Sequence, residues 1–241
     1  MPIINATIEG NILYEPSLFG KPEQQFFEAS YWLVKGVATT VSGGRGQVIF
    51  IRDAQRNWVL RHYRRGGLIA KFNRDRYLWR DAEATRAFRE WRLLAKLVDC
   101  GLPVPVPVAA RYLRGGFSYR ADLITQEIIG ARSLASMLKA ESISTTQWQS
   151  IGATLAKFHV LGVQHADLNA HNIVFDHAQA LYLLDFDRGQ IIKHDRRWVD
   201  AVLARLLRSL NKLKMQQAIH FNDNDWRFLL QAHDARLTRS S

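Results

Sequence analysis

A chain of 241 residues, 47% hydrophobic and 23% charged, has the length and composition of a soluble globular protein, as one large domain or two lobes. Its net charge of +11 is not ordinary and favours an anionic partner: nucleic acid, an anionic membrane surface or a phosphorylated substrate. A single cysteine, Cys100, excludes an internal disulfide and suits a reducing compartment. The first residues lack the layout of a signal peptide, and no apolar run reaches the length of a membrane span.

Residues 1–25 read as strands or extended chain with turns at Gly10, Gly20 and Pro22, and Phe26–Leu33 is apolar enough to pack on the adjoining lobe. Two strands then flank Gly43, Gly44 and Gly46. Glycines there let backbone amides approach phosphate oxygens, as in a nucleotide-covering loop, although the same pattern also serves a plain hairpin turn. Asn57–Tyr63 reads as a third strand carrying Arg61, a candidate phosphate-pairing cation, with Lys71 as the alternative. Arginine differs from lysine at such a point, since its guanidinium is larger and its donors are forked. Residues 61–80 interleave Arg and Lys with Tyr63, Phe72, Tyr77 and Trp79. That mixture suits contact with an anionic acceptor, and equally a solvated face.

Phe88, Trp91, Leu94, Ala95 and Val98 recur at helical spacing, which predicts a helix over Asp81–Val98 stopped by Gly101 and Pro103. Glu90 in mid-helix is the candidate partner of the strand cation, and Glu83 competes with it. Alternating prolines keep residues 103–108 extended and lead into strands at Val108–Leu113 and Phe117–Gln126. Glu127 and Ile128 precede Gly130 where two lobes would meet, with backbone groups placed to read the edge of adenine. Ser133 caps a short helix to Lys139, and a longer helix spans Thr146–Leu161, with His159 expected as a packed histidine.

Residues 165–187 carry the most chemistry. His165, Asp167 and Asn172 fit the H-x-D-x-x-x-x-N pattern of a phosphotransferase catalytic loop, and Asp185 stands where the metal-binding Asp of D-F-G would sit. An acceptor hydroxyl needs a carboxylate to take its proton, the role of Asp167. Mg²⁺ on a triphosphate needs hard oxygen ligands, which Asn172 and Asp185 supply. Apolar runs at Ile173–Phe175 and Leu181–Leu184 predict a hairpin holding both. A metal site of His165, Asp167 and His171 is the rival, but it leaves Asn172 and Asp185 unexplained. Beyond Asp187, Trp198, Val202, Leu203, Leu206, Leu207, Leu210 and Leu213 form one helical stripe, with Arg205, Arg208, Lys212 and Lys214 on other faces. A last helix is expected over Asp223–Ala235, with a frayed tail from Arg236.

With these residues in place, the chain resembles the protein-kinase-like superfamily over most of its length. Ala166 stands where regulated protein kinases carry the Arg of H-R-D, and the stretch after Asp187 is too brief for a long activation loop. The chain is most similar to the lipopolysaccharide kinase family, the branch acting on 3-deoxy-D-manno-octulosonic acid (Kdo) in Gram-negative bacteria. Trp58–Gly67, Phe88–Leu94, Gly101–Pro105, His165–Asn172 and Trp198 with its following arginines carry the likeness. Asp187 in place of the D-F-G glycine, and Arg61 in place of lysine, depart from the wider pattern.

The resemblance implies an α+β, two-lobed kinase-like fold. Residues 1–128 would form an N-lobe of antiparallel sheet and helix covering the nucleotide, and residues 129–241 a mainly helical C-lobe with catalytic loop and acceptor site. It further implies ATP and Mg²⁺, and transfer to the 4-hydroxyl of Kdo on a lipid A precursor. The anionic glycolipid substrate and a peripheral place on the cytoplasmic face of the inner membrane would account for the positive charge, with no nucleic acid partner. A heptose or aminoglycoside acceptor, or a pseudokinase without turnover, are the competing readings.

Overall fold

The computed structural model describes residues 1–43, 46–64 and 75–238. They fall into two compact units, residues 1–96 with 105–127, and residues 97–104 with 128–241.

The first unit is built on an antiparallel sheet. Its strands are β1 (Ile3–Ala6), β2 (Gly10–Tyr14), β3 (Ala38–Gly43), β4 (Gly46–Arg52), β5 (Asn57–His62), β6 (Tyr77–Leu78), β7 (Pro107–Gly115) and β8 (Ser118–Gln126). They lie in the order β1-β2-β7-β8-β5-β4-β3, with β6 also paired to β8. Burial of Trp58 and Leu60, but not of Asn57 and Val59, shows the period of two that gives β5 an inner face. Short helices α1 (Pro16–Phe19) and α2 (Ala29–Val34) bring Phe19 and Trp32 to that face. There Phe19, Phe26, Phe27, Trp32 and Trp58 form a buried aromatic cluster with Ile12, Ile49 and Ile51. Phe19 meets Phe26 edge-on at 5.5 Å, the arrangement that ring quadrupoles favour.

The helix α3 spans Arg86–Asp99, shorter at its start than the apolar spacing predicts. Side chains compete for the first turn. The Asp81 carboxylate accepts the Ala84 N–H at 2.7 Å, and the Thr85 hydroxyl donates to the Ala82 carbonyl at 2.7 Å, so residues 81–85 form tight turns instead. The buried face of α3 carries Ala87, Phe88, Trp91, Leu94 and Leu97, and Glu90 among them. Cys100, just past its end, is exposed.

The second unit contains β9 (Arg132–Ser133), α4 (Leu134–Ala140), α5 (Thr145–Val160), β10 (Val163–Gln164), β11 (Ile173–Phe175), β12 (Leu181–Leu183), β13 (Gln190–Ile191), α6 (Arg196–Gln217) and α7 (Asp223–Thr238). Ser133 caps α4, accepting the Ser136 N–H at 3.1 Å. Ser144 and Gln147 close a capping box at α5. Helix α7 packs on α5 so closely that a Cβ at Gly152 would lie 2.0 Å from the Leu229 carbonyl oxygen. Gly162 ends α5 with φ of +72°, and a Cβ there would meet the Ile192 carbonyl oxygen. That glycine turns the chain into the stretch beginning at β10. The last helix continues through Arg236 to Thr238, past the point where fraying is expected.

His159 is buried, as expected, within a directed chain of hydrogen bonds. Asp234 lies 3.0 Å from His233 Nδ1, which places that proton on Nδ1 and leaves Nε2 to accept from His159 Nδ1 at 2.9 Å. Arg196 reaches the same Asp234 at 3.1 Å, so α5, α6 and α7 are joined through one carboxylate. The molecule has the α+β make-up of the kinase-like fold: an antiparallel sheet with its helix in one unit, and mainly helices in the other.

Candidate active site

In the second unit, antiparallel pairing of β11 with β12 aligns Ile173 with Leu183 and Phe175 with Leu181, making the hairpin that the two apolar runs predict. The residues of interest stand at its open end. Asn172 immediately precedes β11, and its carbonyl accepts the Leu184 N–H at 2.8 Å. Asp185 comes one residue later, so the two are fixed by a single ladder.

The loop from His165 to Asn172 closes around the main-chain carbonyl of Asp167. Asn169 Nδ2 donates to that oxygen at 2.8 Å and Asn172 Nδ2 donates to it at 3.0 Å. His165 is buried. Its Nδ1 accepts the Asp167 N–H at 3.1 Å, so the proton lies on Nε2, which donates to the Leu184 carbonyl at 2.9 Å. The His165 ring rests on Phe186, 4.8 Å between centroids, and Phe186 stacks on Phe158 of α5. Both nitrogens of His165 are therefore occupied. This removes it as a ligand and with it the rival metal site of His165, Asp167 and His171. Among the described residues no cluster of three His, Cys, Asp or Glu side chains is arranged for a metal ion.

With its backbone held on both sides, Asp167 keeps its carboxylate 44% exposed. Asp185 has φ of +62°, in the left-handed region that costs a non-glycine residue energy and that Asp tolerates better than most. Asn172 uses its amide nitrogen on Asp167, so its Oδ1 faces away from that bond. A neutral amide oxygen and a carboxylate are both hard oxygen donors, the kind that Mg²⁺ takes alongside phosphate oxygens and water.

In the first unit, the structure brings Arg61 of β5 to Glu90 of α3, Nη2 to Oε2 at 2.5 Å. The Tyr63 hydroxyl donates to the same Glu90 oxygen at 2.5 Å, and the Arg61 guanidinium lies 4.9 Å from the Tyr63 ring centre. Glu90 is buried and Tyr63 with it. Burial, and then the Glu90 charge, push the Tyr63 phenol well above its ordinary range, so it stays a neutral donor. The competing Glu83 pairs instead with Arg92 at 3.0 Å on the exposed side of the helix. Lys71, the alternative cation, and Gly44 lie outside the described residues, as does much of the basic stretch of residues 61–80. Gly43 and Gly46 face each other as the last register pair of the β3–β4 hairpin. The Glu127 N–H donates to the Asn57 carbonyl at 2.8 Å, its carboxylate pairs with Arg52, and the Ile128 carbonyl accepts from Ala131. The Ile128 N–H makes no hydrogen bond within the described residues.

Three participants escape sequence reasoning. Tyr63 is the second donor to Glu90. Ser209 on α6 accepts the Ala170 N–H at 3.2 Å and so ties the loop to that helix. Arg205, one turn earlier on α6, stands 3.7 Å from the Asp167 carboxylate. Helical spacing places Arg205 and Ser209 on one face, but nothing in the sequence says which face meets the loop.

The description "Lipopolysaccharide kinase (Kdo/WaaP) family" belongs to a family model that matches residues 29–233. A 3-deoxy-D-manno-octulosonic acid kinase of Xylella fastidiosa (strain 9a5c) is 41% identical over 239 residues, covering 99% of this chain and 95% of the relative. One of Stenotrophomonas maltophilia (strain R551-3) is 41% identical over 232 residues, 96% of this chain and 92% of its own. Another, of Vibrio vulnificus (strain YJ016), is 36% identical over 228 residues, covering 95% and 96%.

Proposed function

The chain belongs to the lipopolysaccharide kinase (Kdo/WaaP) family and is an ATP-dependent kinase, and from that premise we propose that it phosphorylates the 4-hydroxyl of Kdo on a lipid A precursor. The observation that carries the reading is the loop closed on the Asp167 carbonyl, which fixes the backbone while leaving the carboxylate accessible. Asp167 takes the proton of the acceptor hydroxyl as that oxygen bonds to the γ-phosphorus and the bond to ADP breaks. Asn172 Oδ1 and the Asp185 carboxylate would hold Mg²⁺, which would offset negative charge on the phosphates. Arg61, set by Glu90 and Tyr63, orients the phosphates; Gly43, Gly44 and Gly46 cover them. The Ile128 N–H, next to Glu127, reads the adenine edge. In this division residues 1–128 cover the nucleotide, and residues 129–241 carry the catalytic loop and the acceptor site. Positioning and charge neutralisation supply most of the rate, because phosphoryl transfer asks little covalent work of a protein.

No described helix is long and apolar enough to cross a membrane. The net charge of +11 and the exposed cations Arg197, Arg208, Lys212 and Lys214 of α6 favour peripheral contact with the anionic cytoplasmic leaflet, where such a glycolipid would be met.

Mass spectrometry of a Kdo-lipid A precursor incubated with the protein and Mg·ATP tests both parts. The expected product gains one phosphate, assigned to the Kdo 4-hydroxyl by fragmentation, and forms faster in anionic than in neutral vesicles. Phosphate on another sugar, or turnover only with a heptose or an aminoglycoside, overturns the acceptor. Equal rates in both vesicles overturn the membrane contact.

A further inference from the structure

Arg205 brings a cation to the reacting carboxylate of the second unit. Val202, Leu203, Leu206 and Leu210 are buried and fix α6 in place, while Ser209 binds the loop backbone at Ala170. Arg205 thus reaches Asp167 from a rigid element. Its Nη1 lies 3.7 Å from Asp167 Oδ1, beyond hydrogen-bond range, and its side chain is 48% exposed. An exposed pair at that separation contributes little to stability. The forked donors of the guanidinium remain able to take a second anion.

The chemistry of the proposed acceptor supplies one. An octulosonic acid carries a carboxylate on the same sugar as the hydroxyl to be phosphorylated. A carboxylate base and a carboxylate substrate repel each other when brought together in a partly desolvated site, unless a cation stands beside them. We infer that Arg205 binds the carboxylate of the acceptor sugar and so selects an acidic sugar for presentation to Asp167. This rests on Kdo being the acceptor, as proposed. An anionic oxygen group could also come from the transferring phosphoryl group, and the arms of the test separate the two.

The test compares kcat/KM on the Kdo-lipid A precursor and on its carboxamide analogue, for the wild-type protein, Arg205→Gln and Arg205→Lys. Wild type should prefer the acid by roughly tenfold or more, the worth of a charge-assisted hydrogen bond. Arg205→Gln should lose most of that preference through a raised KM for the acid, with KM for ATP within about twofold of wild type; Arg205→Lys should restore part of it. Arg205→Gln that keeps the wild-type preference overturns the role of Arg205 alone. Equal loss on both acceptors with a raised KM for ATP overturns it in favour of the phosphoryl group. A wild-type protein inert on both acceptors overturns the acceptor reading, and this inference with it.

Discussion

The two units bury different chemistry. In the first, the buried ionisable groups include Glu90, Arg111 and Asp122, each held against an opposite charge or a strong donor. Arg111 meets Asp122 at 2.8 Å and Glu28 at 2.8 Å, and Glu90 meets Arg61 and Tyr63. In the second, the buried titratable side chains include His159, His165 and His233, whose bonds suit neutral rings, and Asp167 and Asp185 stay partly exposed. The cation proposed to orient phosphates is set by a buried counter-charge. The carboxylate proposed to receive a proton is set by its backbone and left partly exposed. Loss of a functional charge should therefore cost the first unit stability and the second unit only rate.

The sharpest separation is at Asp167. Asp167→Asn removes the proposed proton acceptor but keeps the size of the side chain and the loop around the Asp167 carbonyl. Turnover should fall by roughly 10² or more, the usual worth of a positioned general base. Unfolding free energy should change by less than about 0.5 kcal/mol, because the Asp167 side chain is 44% exposed and its loop is held through the backbone. Steady-state kinetics beside urea unfolding checks both. Retained turnover removes Asp167 from the chemistry, and a large stability loss breaks the contrast.

At Arg61 the opposite is expected. Arg61→Ala leaves Glu90, 3% exposed, without its cation. Removing one member of a buried pair costs about 3–5 kcal/mol, and the lower end applies because Arg61 is 26% exposed. Turnover should fall as well, through weaker ATP binding. The double variant Arg61→Ala, Glu90→Gln should recover most of the stability, since the Tyr63 hydroxyl can still donate to the amide oxygen, and none of the turnover. Stability that does not return would show that packing, not charge, is what Arg61 contributes.

Much of this is legible in the sequence, for physical reasons that differ by residue. The hairpin carrying Asn172 and Asp185 comes from short apolar runs at fixed spacing, a local signal. Helix α3 begins at Arg86 and not at Asp81, because apolar period says nothing about Asp81 and Thr85 taking backbone groups for themselves. Arg61 and Glu90 lie 29 residues apart, and sequence can only rank them against Lys71 and Glu83. Arg205 is visible there as one more arginine on a polar face. Its approach to Asp167 depends on how α6 packs, a long-range property that no local pattern encodes. The His159–His233 bond likewise joins residues 74 apart.

That bond gives the units opposite responses to pH. Burial, with the charges of His233, His194 and Arg196 nearby, lowers His159 from 6.5 to about 3. Below pH 6.5 the unfolded chain takes up a proton there that the folded protein refuses, so stability falls with pH across that window. The slope is about 1.4 kcal/mol per pH unit for one such group, and His233, also lowered by burial, adds to it. In the first unit, His62 is raised, chiefly by its bond to Asp122 at 2.7 Å. Its contribution is present below its unfolded value and is lost as pH rises through the raised one. Urea unfolding at pH 5, 6.5 and 8 should therefore show about 2 kcal/mol lost from pH 6.5 to 5, less what His62 returns. His159→Asn, which can still donate to His233, should make that acid limb shallower, leaving the share of His233, and leave the alkaline one unchanged. An acid limb as steep as wild type in this variant would mean that His159 already accepts its proton in the folded state, and that the second unit does not depend on a neutral ring there.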